Sequence, residues 1–412
     1  MSVPIVIGEG AYGCVHKPSL LCSNKRISYK NKISKIMLSK EAMKELKEYA
    51  LISRVDKNNE YYLGMPTTCR VKSTPHAIKA VEKCKNIKKK YLRRTTVKKG
   101  LSKMSLLIMN DGGRDLKSMG SYFDRLSDNS DTIKKVKIFW TEMHRLFRAL
   151  VSFQKYGIVH HDIKPHNLVY NTQTNRVNYI DFGHMRNIKT EMAKCEQSDN
   201  WIYDYPFWNY PFEIQFLNKG EYMHFVSKSK NERERFIIDF IEDLRVDRDT
   251  KFTNAFRIFM DYFTRGKSGA EEKILINKYI MDFKRMVIEQ LNVDNYEEFA
   301  KLSIESIDVY GLGLSLQYML AYTKKFMEKE LVYSLEECFY RMTTANLKER
   351  YTCSEAMNTF EICLSTMGYG SFDNNELVSN KEKSVEKSIG KIKDISINKM
   401  TKDQLKRAMN RF

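Results

Sequence analysis

Apolar residues alternate near the start of the chain and later recur every three to four positions. Val3, Ile5 and Ile7 stand at every second place before glycines at 8, 10 and 13, which predicts strand, tight turn and strand through Val15. Ile33–Leu38 and Leu106–Met109 predict two more short strands. Between them Met43, Leu46, Ala50, Leu51 and Val55 fall at helical spacing and predict one amphipathic helix over Lys40–Val55. After Gly112 and Gly113 a long helix is expected over Lys135–Tyr156. Phe139, Met143, Leu146, Phe147, Leu150 and Phe153 form its apolar face, and Gly157 ends it. Leu168–Tyr170 and Val177–Ile180 predict a hairpin turning through Asn171–Arg176. Beyond Glu213 the pattern is almost wholly helical, as in Phe236–Leu244, Ile276–Leu291 and Ile307–Tyr322. The expected class is α+β, strand-rich first and helical afterwards, without internal repeats.

Composition narrows the class. With 412 residues, 42% apolar and 12% aromatic, the chain can bury a substantial core, and 18 Gly and 7 Pro exclude collagenous or low-complexity polymers. A net charge of +19 favours anionic partners. Lys79–Lys103 holds eleven basic residues and one acidic, so it is expected to be a solvated loop or helix face. Lys381–Phe412, with ten basic and four acidic residues, is expected to be a mobile tail or loosely attached helix. Either stretch could take nucleic acid or an acidic protein. The opening MSVPIVIGEG has no leader-like pattern, and the longest apolar window, Gly311–Tyr322, is too short to span a bilayer, so a soluble intracellular protein is expected. Eight cysteines without a C-x-x-C pair predict reduced, packed thiols, with neither a disulfide framework nor a metal finger.

Two motifs carry chemistry. Gly8-Glu9-Gly10-Ala11-Tyr12-Gly13-Cys14-Val15 reads G-x-G-x-x-G-x-V, in which residues without a Cβ let backbone amides close over a polyphosphate. A plain hairpin is the alternative. Pro18 and the absence of a following helix separate it from a dinucleotide-binding turn. The second motif is His160-His161-Asp162-Ile163-Lys164-Pro165-His166-Asn167, followed nineteen residues after Asp162 by Asp181-Phe182-Gly183. Phosphoryl transfer needs a carboxylate to orient the attacking hydroxyl, oxygen ligands for a hard cation and a positive group against developing charge. Asp162, the pair Asn167 and Asp181, and Lys164 are of those types.

In these motifs the chain resembles a eukaryotic-type protein kinase, and Lys164 resembles the serine/threonine branch. The resemblance runs over about residues 3–365. It implies a bilobed fold, with a small antiparallel-sheet lobe at 1–111 and a larger helical lobe at 112–365, and ATP with Mg2+ between them. It further implies that Asp162 is the catalytic base, that Lys164 contacts the transferred phosphate and that Asn167 and Asp181 hold magnesium. Gly8, Gly10, Tyr12, Gly13 and Val15 then cover the nucleotide, and Lys35, in preference to Lys30, holds its phosphates. Glu48 is the chosen partner of that lysine and Glu45 the alternative. Met109 and Asn110 stand where the hinge takes adenine.

Tyr210-Pro211-Phe212-Glu213 is similar to the A-P-E motif, Asp308–Gly313 to D-x-W-x-x-G, and Arg350 to the arginine that pairs with the A-P-E glutamate. Departures are His161, where the family has arginine, and Ile33, where it has alanine. The 94 residues between Glu213 and Asp308 are a further departure and imply a helical insertion at about 218–303, either a docking surface or a packed elaboration. Histidines 160, 161, 166 and 184 are expected to pack or hydrogen-bond rather than ligate zinc. The low glycine content and abundant Lys, Asn, Ile and Tyr resemble kinases of large DNA viruses, the mimivirus-like group, which would place the chain in host cytoplasm or virion. A pseudokinase scaffold and a nucleic-acid-binding protein on a kinase-like fold are the other functional classes considered.

Overall fold

The computed structural model describes residues 3–10, 12–91, 96–197, 207–245 and 250–370. The basic tail expected over 381–412 and Ala11 of the glycine motif lie outside them. Strands β1 (Ile5–Glu9), β2 (Gly13–Lys17), β3 (Lys32–Leu38), β4 (Thr67–Arg70) and β5 (Met104–Asn110) form one antiparallel sheet in the order β1-β2-β3-β5-β4. Alternation along β3 and β5 gives the sheet two apolar faces. Met37, Leu107 and Met109 meet Ala42 of helix α1 (Ser39–Val55) on one face. Ile36, Leu106 and Ile108 on the other meet Ala77, Ala80, Val81, Cys84 and Ile87.

On that second face the basic stretch takes the helical form of the expected solvated loop or helix face, and its apolar residues pack on the sheet. The stretch folds as α2 (Pro75–Val81), α3 (Lys85–Tyr91) and α4 (Val97–Gly100), started by the Thr74 and Thr96 hydroxyls that accept from Ala77 and Lys99 amides. Its few apolar residues cover the sheet while the lysines Lys83, Lys85, Lys88 and Lys89 stay exposed. The reduced-thiol expectation is corrected. Cys14 is bonded to Cys84 and Cys22 to Cys69, whereas Cys195, Cys338, Cys353 and Cys363 are buried and form no disulfide. Separations of 70 and 47 residues leave no local spacing by which either pair could be recognised.

The remainder is mainly helical. A three-stranded sheet, β6 (Arg114–Asp115), β8 (Leu168–Asn171) and β9 (Arg176–Tyr179), and a two-stranded one, β7 (Ile158–Val159) with β10 (Arg186–Asn187), lie among α5 (Leu116–Asp124), α6 (Ser130–Lys155) and α7 (Ile188–Glu196). The six apolar residues predicted for one face of α6 are all buried, and Gly157 ends the chain's helical course at φ +65°. Helices α8 (Lys219–Val226), α9 (Lys230–Arg245), α10 (Thr250–Phe263) and α11 (Gly269–Gln290) make up the expected insertion. They share one core with α12 (Tyr296–Thr323), so this segment is packed into the helical body. Helices α13 (Lys329–Thr343) and α14 (Cys353–Thr366) complete the order. Among the described residues no helix is long and apolar enough to cross a membrane.

Candidate active site

The loop from His160 to Asn167 is aimed by helix α12. Asp308, 2% exposed, accepts the backbone amides of His160 at 2.6 Å and His161 at 2.8 Å, one on each carboxylate oxygen. A Cβ on Gly311 would stand 2.5 Å from the Ile163 carbonyl, so the helix can approach the loop this closely only with glycine there. Tyr210 donates its hydroxyl to the His161 carbonyl at 2.5 Å. His161 itself takes a left-handed conformation, φ +62°, and burial, followed by the Arg186 charge, lowers its pKa to about 3, so the ring is neutral. An arginine at this position would be a fixed cation in the same buried place.

These supports leave the Asp162 carboxylate pinned. Lys164 Nζ donates to both oxygens, at 2.7 and 2.8 Å, and Asn167 Nδ2 donates to Oδ2 at 2.7 Å and to the Asp162 carbonyl at 2.8 Å. Asn209 Nδ2 adds a longer bond of 3.4 Å to Oδ1. His160 Nδ1 accepts the Asp162 amide at 3.3 Å, which assigns the ring proton to Nε2, and Nε2 donates to the Ile180 carbonyl at 3.2 Å. Through that ring the loop is tied to the residue preceding Asp181.

Asp181 is exposed and left-handed, φ +63°, while the next residue, Phe182, is buried edge-on against Tyr49 and Tyr62. Asp162 and Asp181 act on one neighbour. Burial lowers the His184 pKa, and both carboxylates oppose that shift. The two motifs that the sequence places nineteen residues apart are thus linked through His160, and both of their carboxylates act electrostatically on His184.

Lys35 joins this group from the sheet. Its ammonium pairs with Glu45 at 2.7 Å. Burial alone would lower the Lys35 pKa, but Glu45, Asp181 and Glu48 outweigh it and hold the ammonium above its ordinary value. The choice of Glu48 is thus corrected to Glu45. The buried stripe of α1 is Ala42, Glu45, Tyr49 and Ile52, and Met43, assigned to the apolar face, is 58% exposed. Glu45 lies on the stripe. Glu48 lies beside it, next to Gly183, and burial followed by the Glu45 charge raises its carboxyl to about 7.

The glycine turn reaches the same lysine. Gly10 N donates to the Gly13 carbonyl at 2.9 Å, and a Cβ on Gly13 would lie 2.9 Å from Lys35 Cε. Val15 pairs with Gly8 on one side and Lys35 on the other, and Tyr12 is half exposed. The side chains of Met109 and Asn110, expected at a hinge, are engaged with other residues. Met109 Sδ accepts from the Tyr49 hydroxyl at 3.8 Å, and Asn110 bonds Lys32 and the Leu63 carbonyl, so any contact with a base would fall to backbone groups. Sequence reasoning missed Asn209 entirely, and nothing in its local pattern marks it. Glu45 could have been found from the phase of α1, since Ala42, Tyr49 and Ile52 share its face.

Outside this cluster, Arg350 pairs with Glu213 at 2.5 Å, both side chains fully buried, and donates to the Thr344 carbonyl and Ser306 hydroxyl.

Over 82 residues, 19% of the chain, the sequence is 37% identical to the cell division cycle 7-related protein kinase of Mus musculus. It is 35% identical to the protein of the same name from Homo sapiens over the same length. The matched segment spans 14% and 13% of those proteins. No family model matches the chain. These partial similarities support a kinase-like relationship.

Proposed function

We propose that the chain is a protein kinase that transfers the γ-phosphate of ATP to a serine or threonine hydroxyl, with a small lobe at about 1–111 and a larger one at about 112–365. The observation that carries the proposal is the Asp162 carboxylate, held by Lys164 and Asn167 on a loop tied through His160 to the residue before Asp181.

A carboxylate fixed by three donors is oriented before substrate arrives, which is how an acceptor hydroxyl is aligned and its proton taken. Lys164, already on Asp162, lies within reach of charge that develops on the transferred group. Lys35, kept cationic by Glu45, is suited to phosphate oxygens beneath the Gly8–Gly13 turn, whose backbone can approach closely. For magnesium the donor set fits. Asn167 commits its Nδ2 to Asp162 and so presents Oδ1 as its remaining ligand atom, and Asp181 offers an exposed carboxylate, both hard oxygen donors. Bound there, the ion would neutralise charge on the phosphates.

The test is transfer of labelled γ-phosphate from ATP to a generic acceptor protein, with and without magnesium, followed by phosphoamino-acid analysis. Magnesium-dependent label on serine and threonine is expected. Nucleotide binding without transfer would indicate a scaffold instead, and label on tyrosine alone would refute the assigned specificity.

A further inference from the structure

The Cys14–Cys84 bond lies at the glycine turn rather than at a remote edge of the sheet. Cys14 directly follows Gly13, and Cys84 occupies the turn between α2 and α3. Two residues on, the Asn86 amide donates to Glu9 Oε1 at 2.5 Å and its side chain to the Gly10 carbonyl at 3.3 Å. Both limbs of the glycine turn are therefore held by one short segment, 84–86, covalently at Cys14 and by hydrogen bonds at Glu9 and Gly10. His16 lies beside the sulfurs, its Nε2 3.6 Å from Cys84 Sγ and 4.0 Å from Cys14 Sγ, with all three residues fully buried. The second bond, Cys22–Cys69, joins other parts of the same sheet region and provides an internal comparison.

We infer that Cys14 and Cys84 are an oxidative modification site: their disulfide clamps the glycine turn in order, and their reduction releases segment 84–86 and loosens the turn. The effect on nucleotide affinity rests on the phosphotransfer function proposed above, whereas the clamp itself does not. A turn ordered by a covalent bond loses less freedom when phosphates bind, so the oxidised chain binds nucleotide more tightly.

The chemistry needs a two-electron oxidant such as a peroxide. Burial keeps His16 neutral, so Nε2 can take the Cys84 thiol proton. The Cys84 thiolate attacks one peroxide oxygen, the O–O bond breaks, and the departing hydroxide takes the proton back from His16 as water. Cys14 sulfur then attacks the Cys84 sulfenic acid, the S–O bond breaks, and a second water leaves with the Cys14 proton. Two thiols and one peroxide thus give one disulfide and two waters.

The same three residues are close enough to suggest a metal site, Cys14, His16 and Cys84 offering donor atoms within 4.8 Å of one another. Sulfurs bonded to each other are not thiolate ligands, which favours the disulfide.

The test compares the full chain after peroxide with the chain after dithiothreitol, by peptide mass mapping, amide hydrogen exchange over 8–16 and MgADP titration. A Cys14–Cys84 cross-linked peptide is expected only in the oxidised chain, with slower exchange over the turn and MgADP affinity roughly tenfold higher. Cys84→Ser should match the reduced chain under both treatments, and Cys22→Ser should still respond. Should Cys84→Ser fold poorly, the two treatments of the wild-type chain decide alone. Absence of the cross-link, unchanged exchange over the turn, or stoichiometric zinc in the reduced chain that blocks oxidation would each overturn the inference. If neither form binds MgADP while the cross-link and exchange difference persist, the clamp stands and the phosphotransfer function fails.

Discussion

The sheet region, residues 5–110, and the helical region, residues 116–366, are held together by different means. The first has two modest apolar clusters, both of the disulfides found among the described residues, and exposed Ile5 and Ile7 along its edge strand. The second keeps four buried cysteines outside any disulfide and is consolidated by rings: Phe212 alone meets Phe240, Phe256, Phe259, Tyr279 and Phe283. Covalent cross-links compensate where a thin sheet cannot bury enough surface, and the helical region, with its larger core, does without them. The difference assigns redox sensitivity to one region, the one that carries Lys35 and the glycine turn.

The sharpest way to break this contrast is through the Glu213–Arg350 pair, since removing one partner strands a buried charge. Arg350→Met should destabilise the helical region by about 3–5 kcal/mol in denaturant unfolding, equally with and without reductant. A loss below about 1 kcal/mol would mean that ring packing alone holds this region. Reducing the wild-type chain should remove about 2–4 kcal/mol per cross-link and raise amide exchange in β1–β5, leaving α6 and α12 protected. Equal loss of protection in α12 would erase the contrast.

Smaller effects sharpen the lysine site. Glu45→Gln should weaken MgADP binding roughly tenfold, the size of one charge-assisted hydrogen bond, and Glu48→Gln much less. The reverse order in a titration would restore Glu48 as the partner of Lys35. Glu48 also sets a pH dependence. Its carboxyl is raised in the folded chain to about 7, so its contribution to stability is full below the ordinary carboxyl value and is lost as pH rises through about 7. Glu48→Gln should therefore flatten the stability profile over that window, by at most about 1 kcal/mol because the group is partly exposed. An unchanged slope would place the titrating group elsewhere.

How far these features can be read from sequence follows the distance over which each is encoded. Helix α6 was legible because six large apolar residues repeat at one spacing, and the 160–167 loop because its polar groups are contiguous. Helix α1 was legible as a helix but misread in phase. A charged residue, Glu45, occupies the middle of its buried stripe, and the exposed Met43 imitates a core position. The basic stretch hid its role because a few small residues, Ala77, Ala80 and Cys84, do the packing among many lysines. The disulfides and the contact of Asn209 with Asp162 join positions 47 to 70 residues apart with no local pattern, and only the folded chain brings them together.

The most direct measurement separates the two carboxylates by their jobs, determining MgATP affinity and phosphoryl-transfer rate side by side for the wild-type chain, Asp162→Asn and Asp181→Asn. If Asp162 aligns the acceptor and Asp181 serves the metal, Asp162→Asn keeps its nucleotide affinity while turnover falls by about 10²–10⁴, and Asp181→Asn loses magnesium-dependent affinity as well. Transfer by Asp162→Asn at the wild-type rate would contradict the account.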